Sequence, residues 1–284
     1  MPNTRDIRRR IKSVQSTRQL TKAMKMVSAA KLRRSQERML AARPYAWVML
    51  DVLASLASRA NPESHPLLDD RGDDRIEVVV MTADKGLCGS FNTNIVKRGQ
   101  AFLMEKGTKT KGLHTVGKKG RDFFRRRGVP IAREYADVFR NVDPAVAREI
   151  ARDLIDRFIS RDLDAVYLIY NEFKSVIQQR VIVRRLLPIE RPVEPEGGHV
   201  EDYLYEPDAR TLFDELLPRY VEIQIYQAML EPSAAEHGAR MAAMEAATTN
   251  AGEMVETLTL YLNRVRQATI TKEIIEVVSG AQAL

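Results

Sequence analysis

The sequence has little cysteine and histidine, and its first sixty residues contain no glycine at all. Its single cysteine, Cys88, excludes an internal disulfide and a cysteine-rich metal site, which is typical of a reducing cytoplasm. The four histidines lie far apart in sequence and fit no zinc-ligand spacing. The sequence therefore predicts no metal site, and we expect no cofactor.

Long apolar runs are also missing from the sequence. No stretch approaches the roughly eighteen consecutive apolar residues that a membrane span requires. The opening MPNTRDIRRRIK has no apolar run after its charges, as a secretory leader would have. We expect neither a membrane span nor a cleaved leader, and a chain that stays in the compartment of its synthesis.

Phosphate-binding loops of the forms GxxxxGK[ST] and GxGxxG are absent. The nearest segment is DKGLCGSFN, Asp84–Asn92, which we interpret as a tight strand-to-helix turn because the lysine and the third glycine are lacking. Cys88 in this turn could be a nucleophile, but a buried, inert thiol is favoured because no base is assured nearby. The run KKGRDFFRRR, Lys118–Arg127, could bind phosphates, although a helix with buried phenylalanines and solvated bases is favoured.

Charge is distributed very unevenly along the chain. Residues 1–60 carry fourteen Lys or Arg and three Asp or Glu, so the net charge of this segment is +11. The net charge of the whole chain is +7. Residues 61–208 hold twenty-five of each sign, and residues 209–284 hold six bases and ten acids, which is −4. Two terminal helices of opposite charge would favour packing side by side.

Apolar residues in both terminal segments recur at helical spacing, every third or fourth position. The N-terminal pattern predicts a helix to about Ser58, roughly 80 Å long, which Pro44 should kink or split. A second helix should run from about Pro207 to the end, bent by Pro218 and Pro232. The apolar positions that define these patterns are Ile7, Ile11, Val14, Leu20, Met24, Val27, Tyr45, Met49, Val52 and Leu56, and then Val255, Leu258, Leu262, Val265, Ile270, Ile274, Val277 and Ala281. Because each helix alone would leave its apolar stripe exposed, we expect an antiparallel coiled coil.

The middle of the chain alternates strand-like and helix-like segments. Strands are predicted at Ile76–Thr82, Leu113–Val116, Ala165–Tyr170 and Val181–Leu187. Helices are predicted at Thr93–Lys106, Gly120–Arg127 and Pro144–Ser160, the last with Asp143 as its N-cap. The fold class is therefore α/β: a long antiparallel coiled coil attached to a small three-layer α/β/α, Rossmann-like domain with a largely parallel sheet. We divide the chain into an N-terminal helix (1–60), a central α/β domain (61–208) and a C-terminal helix (209–284).

The segment KAMKMVSAAKL, Lys22–Leu32, is unusual for a coiled-coil seam because Met, Ala and Ser stand where Leu and Ile would fix a register. One interpretation is a helix that packs loosely on its neighbour. The other is a smooth surface that meets several partner surfaces in turn.

The C-terminal stretch ITKEIIEVVSGAQA, which begins at Ile270, resembles the signature of the gamma subunits of F-type, rotary ATP synthases of bacterial type. Four further segments resemble the same family in the same order: IRRRIKSVQSTRQLTKAMKMVSAAKL, DKGLCG, DYLYEPD at Asp202–Asp208 and ARMAAMEAATTNA at Ala239–Ala251. The resemblance covers essentially the whole chain.

This resemblance implies a central rotor shaft without catalysis of its own. It would couple ion flow through the membrane rotor to ATP synthesis or hydrolysis, by rotating and imposing different conformations on the beta subunits. The implied partners are three alpha and three beta subunits, an epsilon subunit and the ring of c subunits. Coupling contacts to the beta subunits are implied for Arg8, Arg9, Lys22, Met24, Lys25, Arg240, Arg266, Gln267, Thr271 and Glu273. Contacts of a foot with the c ring are implied for Tyr203, Tyr205 and Glu206.

The same resemblance implies a peripheral location at the cytoplasmic face of the bacterial plasma membrane. Two other functions are open from the residues alone. The basic N-terminal helix could bind nucleic acid, which predicts salt-sensitive DNA binding. The α/β middle could belong to a nucleotide-dependent enzyme, which predicts ATPase activity or nucleotide binding by the isolated chain.

Overall fold

The computed structural model describes residues 4–59, 65–175, 178–190 and 208–282. Backbone contacts divide the chain into two units, one formed by residues 1–29 with 240–284 and the other by residues 30–239. The boundaries of the three-part division made from the sequence stay a prediction.

An α/β domain forms most of the unit of residues 30–239. Its elements, in chain order, are β1 (Ile76–Met81), α2 (Phe91–Lys106), β2 (Thr110–Val116), α3 (Lys118–Arg126), β3 (Arg133–Tyr135), α4 (Pro144–Ile159), β4 (Ala165–Phe173) and β5 (Gln179–Leu187). The chain begins with α1 (Thr4–Arg59) and ends with α5 (Ala209–Gln282). The mixed α/β fold class is confirmed.

The five strands form one sheet in the order β3-β2-β1-β4-β5. The first four run parallel to one another, and β5 pairs antiparallel with β4 at the edge. Alternate residues of β1 face opposite layers: Val80 lies against Gly99 of α2, whereas Glu77 lies against Arg157 of α4. Helices therefore cover both faces of the sheet, and β1 is buried along its whole length.

The sequence predicted every strand of the sheet except β3, and the α-helices α2, α3 and α4, to within a few residues. The N-cap of α4 is also confirmed, since an oxygen of Asp143 accepts a hydrogen bond from the N–H of Ala145 at 2.8 Å. The sequence did not predict β3, because this strand has three residues, Arg-Glu-Tyr, and contains no apolar run.

Both long helices are continuous through their prolines. Helical structure in α1 runs on both sides of Pro44, so Pro44 does not split the helix, and the alternative of a kink stays a prediction. Pro44 removes one backbone donor at a cost of about 3 kcal/mol. Buried Met39, Ala46 and Met49, before and after it, hold the helix against the rest of the unit.

One helix in the described part of the chain contains a stretch that is apolar enough for a membrane span by length and composition. This stretch lies within Thr4–Leu56 and has a mean hydropathy of 1.2, but 39% of it is buried inside the protein. The core helix of a folded domain meets the same criterion. Met49, Leu53 and Leu56 of α1 are buried in this way, so we assign them to the core of residues 30–239.

In the unit of residues 1–29 and 240–284, α1 and α5 run antiparallel. Thr21 lies beside Thr248 and Lys25 beside Glu245, so positions rise along one helix as they fall along the other. The hydroxyl oxygens of the two threonines are 2.8 Å apart. Small and polar side chains thus bring the helices together here.

Candidate functional site

The face of α1 that is turned toward protein differs from the apolar stripe predicted from the sequence. Thr21 and Ser28 are buried, whereas Leu20 and Val27 are 61% and 56% exposed. The prediction that Leu20 and Val27 lie in the seam is therefore wrong. A weak signal for the true face exists, because Thr21, Ser28 and Ser35 are spaced by seven residues. Hydrophobicity alone could not reveal it, since these residues are polar.

The basic positions predicted on α1 have different surroundings. Arg8, Arg9 and Lys22 are exposed, and Met24 is half-buried. Lys25 already has a partner within the chain, because its Nζ lies 2.6 Å from a carboxylate oxygen of Glu245. Glu245 was not predicted as a site residue, and only the helix pairing identifies it.

The predicted positions near the end of α5 lie on an open helix surface. Arg266, Gln267, Thr271 and Glu273 are all exposed. The hydroxyl of Thr271 donates a hydrogen bond to the backbone carbonyl of Gln267 at 2.9 Å, so it is satisfied within the helix. These four side chains are available to a partner.

The apolar stripes of α5 differ in exposure. The first, Val255, Leu258, Leu262 and Val265, is half-buried. The second, in contrast, is open: Ile270, Ile274 and Val277 are 48%, 57% and 72% exposed. Large apolar side chains gathered on one exposed surface mark a place where protein packs against protein.

Of the four remaining predicted site residues, the structure describes Arg240. Arg240 is 9% exposed, so its side chain contributes to the packing of α5 rather than to a free face. Tyr203, Tyr205 and Glu206 lie outside the described residues. The structure thus brings the other α1 and α5 positions to accessible helix surfaces without joining them in one pocket.

The loop after β1 serves as a structural turn, as the sequence predicted. One carboxylate oxygen of Asp84 accepts hydrogen bonds from the N–H groups of Lys118 and Asp137, at 3.1 and 2.9 Å. The other accepts from the N–H of Phe139 at 3.3 Å. Cys88 is buried, and the side-chain amide of Asn92 lies 3.1 Å from its sulfur. Asp84 therefore joins three loops and is not placed as a general acid or base.

A buried charged cluster connects the sheet with α4. Glu77 on β1 and His114 on β2 are completely buried, and the Oε1 atom of Glu77 lies 2.8 Å from the Nε2 atom of His114. The other oxygen of Glu77 is 2.9 Å from Arg157 on α4. Burial alone would raise the pKa of Glu77, but His114 and Arg157 outweigh it and hold that pKa below the ordinary value of 4.5. Because these groups pair with one another, we assign the cluster a structural role.

Metal binding has no support in the part of the chain that the structure describes. Among those residues, no group of three or more His, Cys, Asp or Glu side chains is arranged to hold an ion.

Known proteins resemble the chain over its full length. A family model described as ATP synthase matches residues 3–284. An ATP synthase gamma chain of Anaeromyxobacter sp. (strain Fw109-5) is 51% identical, with 100% of both chains covered. The ATP synthase gamma chain of Pelotomaculum thermopropionicum is 48% identical, again with 100% of both chains covered.

Chains in solved structures of ATP synthases also resemble this chain. The chain resembles one from the central stalk and c ring of the Tetrahymena thermophila mitochondrial ATP synthase, with 27% identity, a TM-score of 0.61 and coverage of 80% of this chain and 99% of that one. A rotor chain of the Euglena gracilis mitochondrial ATP synthase shares the fold, with 19% identity, a TM-score of 0.64 and coverage of 94% and 98%. On the family model and the bacterial relatives together, the chain belongs to the family of ATP synthase gamma chains.

Proposed function

We propose that this chain is the central rotor shaft of a bacterial ATP synthase. It couples ion flow through a ring of c subunits to ATP synthesis or hydrolysis in a hexamer of three alpha and three beta subunits. The shaft itself performs no catalysis. It rotates and stabilises a different conformation in each beta subunit, so that each subunit in turn changes its affinity for nucleotide.

The observation that carries this proposal is the exposed apolar stripe Ile270, Ile274 and Val277 at the end of α5. Such a stripe on a free helix end is unfavourable in water and suits a helix that is enclosed by partner subunits. The charged and polar positions beside it, Arg266 and Glu273, would then meet polar groups of those partners.

The exposed basic residues on α1 are complementary in charge to the acidic contact surface that we propose on the beta subunits. Arg8, Arg9 and Lys22 create a positive field that would attract an acidic loop and adjust its approach. Half-buried Met24 between these charges and the helix pair offers a flexible side chain that can repack as successive subunits pass. Exposed Gln267 and Thr271 are further proposed beta contacts, and Arg240 is proposed to contact a beta subunit through the 9% of its surface that is exposed. Tyr203, Tyr205 and Glu206 form the proposed foot on the c ring.

We further propose an epsilon subunit as a partner and a peripheral location at the cytoplasmic face of the plasma membrane. A pull-down of the tagged chain from its source cell tests the assembly. Alpha, beta, epsilon and c subunits should co-purify with the chain. Recovery of the chain free of alpha and beta subunits would overturn the proposal, and so would ATP hydrolysis by the isolated chain.

The role of Met24 can be tested with a matched pair of variants in the assembled enzyme. Met24→Lys should lower ATP-driven ion pumping relative to ATP hydrolysis, because a fixed charge on this surface forms strong pairs that resist rotation. Met104→Lys places the same change on α2, where the side chain is 75% exposed, and should leave that ratio unchanged. Equal pumping by both variants and the unmodified enzyme would exclude Met24 from coupling.

Lys25 needs a different design because Glu245 already pairs with it. Both side chains are partly exposed, so the pair contributes at most about 1 kcal/mol to stability. If Lys25 also contacts a beta subunit, Lys25→Gln should reduce coupling more than Glu245→Gln does. Equal effects of the two variants would restrict Lys25 to the helix pair.

A further inference from the structure

A cleft of about 560 Å³ opens in the unit of residues 30–239, on the side of α4. It is bounded by α1, the first half of α4 and the N-terminal part of α5. Ile223 contributes to an apolar wall, and the rings of Tyr45 and Tyr226 stand beside it. This volume lies within the range of sites that hold small molecules, roughly 300–1,000 Å³.

The polar lining of the cleft is predominantly positive. Arg148 and Arg152 lie one helical turn apart on α4, and Arg219 faces them from α5. Glu222 is the acid in this lining, and it is 3.4 Å from the Nε atom of Arg148, a long contact for an ion pair. In the ranges that the structure describes, Arg152 and Arg219 have no carboxylate within ion-pair distance. The cleft therefore carries an excess of two positive charges.

Three arginines on two helices repel one another unless an anion lies between them. Like charges one turn apart on a helix cost about 0.2–0.5 kcal/mol even in water. A guanidinium group offers its N–H donors as a planar fork, which matches the paired oxygens of a phosphate. We propose that this cleft binds a small polyphosphate anion, with Arg152 and Arg219 as its main ligands. Arg148 is a further ligand, and the charge of Glu222 opposes binding.

Calorimetric titration of the full-length chain with pyrophosphate in buffer of near-physiological salt tests the proposal. Arg152→Gln and Arg219→Gln should each weaken pyrophosphate binding by about tenfold, since each removes one charge-assisted contact. Glu222→Gln should strengthen it by about threefold, because the repulsive charge is gone. Arg180→Gln is the matched control, since Arg180 is exposed on β5 and does not line the cleft. Circular dichroism should show the same helix content for all four variants.

A second titration, with ATP, identifies the form of the ligand. Affinity equal to that of pyrophosphate assigns binding to the phosphates alone, and higher affinity that Tyr45→Ala removes adds stacking of the base; both outcomes support the proposal. It is overturned if the unmodified chain does not bind pyrophosphate, or if Arg180→Gln weakens binding as much as the cleft variants do. Binding of an acidic peptide, but not of pyrophosphate, with the same dependence on Arg152 and Arg219 would also overturn it and would assign the cleft to a protein partner.

Discussion

Glu77 illustrates how single residues hold the α/β domain together. Its carboxylate lies without solvent contact between His114 and Arg157, in the layer between the sheet and α4. The backbone of Gly112 passes directly beneath it, where even an added methyl group would come within 2.6 Å of a carboxylate oxygen. Three elements therefore depend on the position of one side chain.

Replacing Glu77 by Gln should lower the free energy of unfolding by about 3 kcal/mol. The substitution keeps the shape of the side chain, but it removes the fully buried negative charge that compensates half-buried Arg157. Urea denaturation followed by circular dichroism measures the change. Glu105→Gln is the control: Glu105 is 62% exposed and 3.8 Å from Arg98, so its loss should cost less than about 0.5 kcal/mol. Equal effects of both substitutions would contradict the assignment of Glu77 as an anchor.

Stability should fall in acid, and part of that fall should depend on Glu77. Its pKa in the folded protein is below the ordinary value of 4.5, so its contribution is complete above that pH. As the pH decreases below 4.5, the unfolded chain takes up the proton first and the contribution is lost. The difference in unfolding free energy between the unmodified chain and Glu77→Gln should therefore be smaller at pH 3.5 than at pH 7. An unchanged difference would contradict the depressed pKa.

The pKa values of Asp73 and Asp164 are lowered, as is that of Glu77. Burial raises the pKa of Asp73, but hydrogen bonds from Lys106 and Tyr167 outweigh it, and a paired guanidinium from Arg75 lowers the pKa of Asp164. Burial also raises the pKa of Tyr167 to about 12. These carboxylates add to the acid sensitivity of the domain.

At the scale of elements, the junction of β2 and α3 depends on one glycine. Gly117 has a φ of +98°, and a Cβ atom there would lie 2.0 Å from the carbonyl oxygen of Thr82. Gly117→Ala should destabilise the domain by about 3 kcal/mol or more, since strain and a backbone clash combine. Gly128→Ala isolates the strain, because Gly128 also has a positive φ, of +68°, but open space around it. Similar unfolding midpoints for the two variants would rule out the clash.

A substitution at the end of α5 should impair assembly with other subunits and leave the stability of the isolated chain unchanged. Ile274→Lys should leave the helix content and unfolding of the isolated chain unchanged, since Ile274 is 57% exposed. It should nevertheless reduce the yield of complex reconstituted with alpha and beta subunits, because a charge would enter the enclosed helix end. Val265→Lys, at a half-buried position of the helix pair, should reduce helix content as well. A normal yield of complex with Ile274→Lys would show that this stripe is not enclosed.

The elements were predictable from the sequence to different degrees. The parallel strands β1 and β4 were predictable from their β-branched apolar runs, and α4 from its Asp143-Pro144 start, whereas the short polar strand β3 was not predictable. The seam of α1 did not, because Thr21 and Ser28 are buried while more hydrophobic Leu20 and Val27 are exposed. A rule based on hydrophobic spacing cannot find a polar seam, and only the partner helix shows which face is covered.

The candidate site residues on α1 and α5 were predictable only in part, again because the neighbouring helix decides which side chains are covered. The basic character of α1 and the apolar end of α5 are properties of the sequence itself. The pairing of Lys25 with Glu245 and the burial of Arg240 depend on the neighbouring helix, and no spacing along one segment shows them.

The whole molecule combines two properties that conflict in a free chain. The α/β domain is stabilised by a buried sheet and internal ion pairs, whereas α5 ends in an exposed apolar stripe. Under the proposed function, partner subunits enclose the apolar end of α5, which reconciles the two properties. Under the same proposed function, the strong positive charge of α1 serves contact with acidic surfaces of partner subunits.

Observation of single complexes tests this central claim most directly. A Thr108→Cys variant, which places a thiol in the turn between α2 and β2, would carry a visible probe on a surface-anchored complex with alpha and beta subunits. Buried Cys88 should not react with the label. The account predicts that ATP drives rotation of the probe in one direction, with three pauses per turn. A probe that stays still while the same complexes hydrolyse ATP would contradict it.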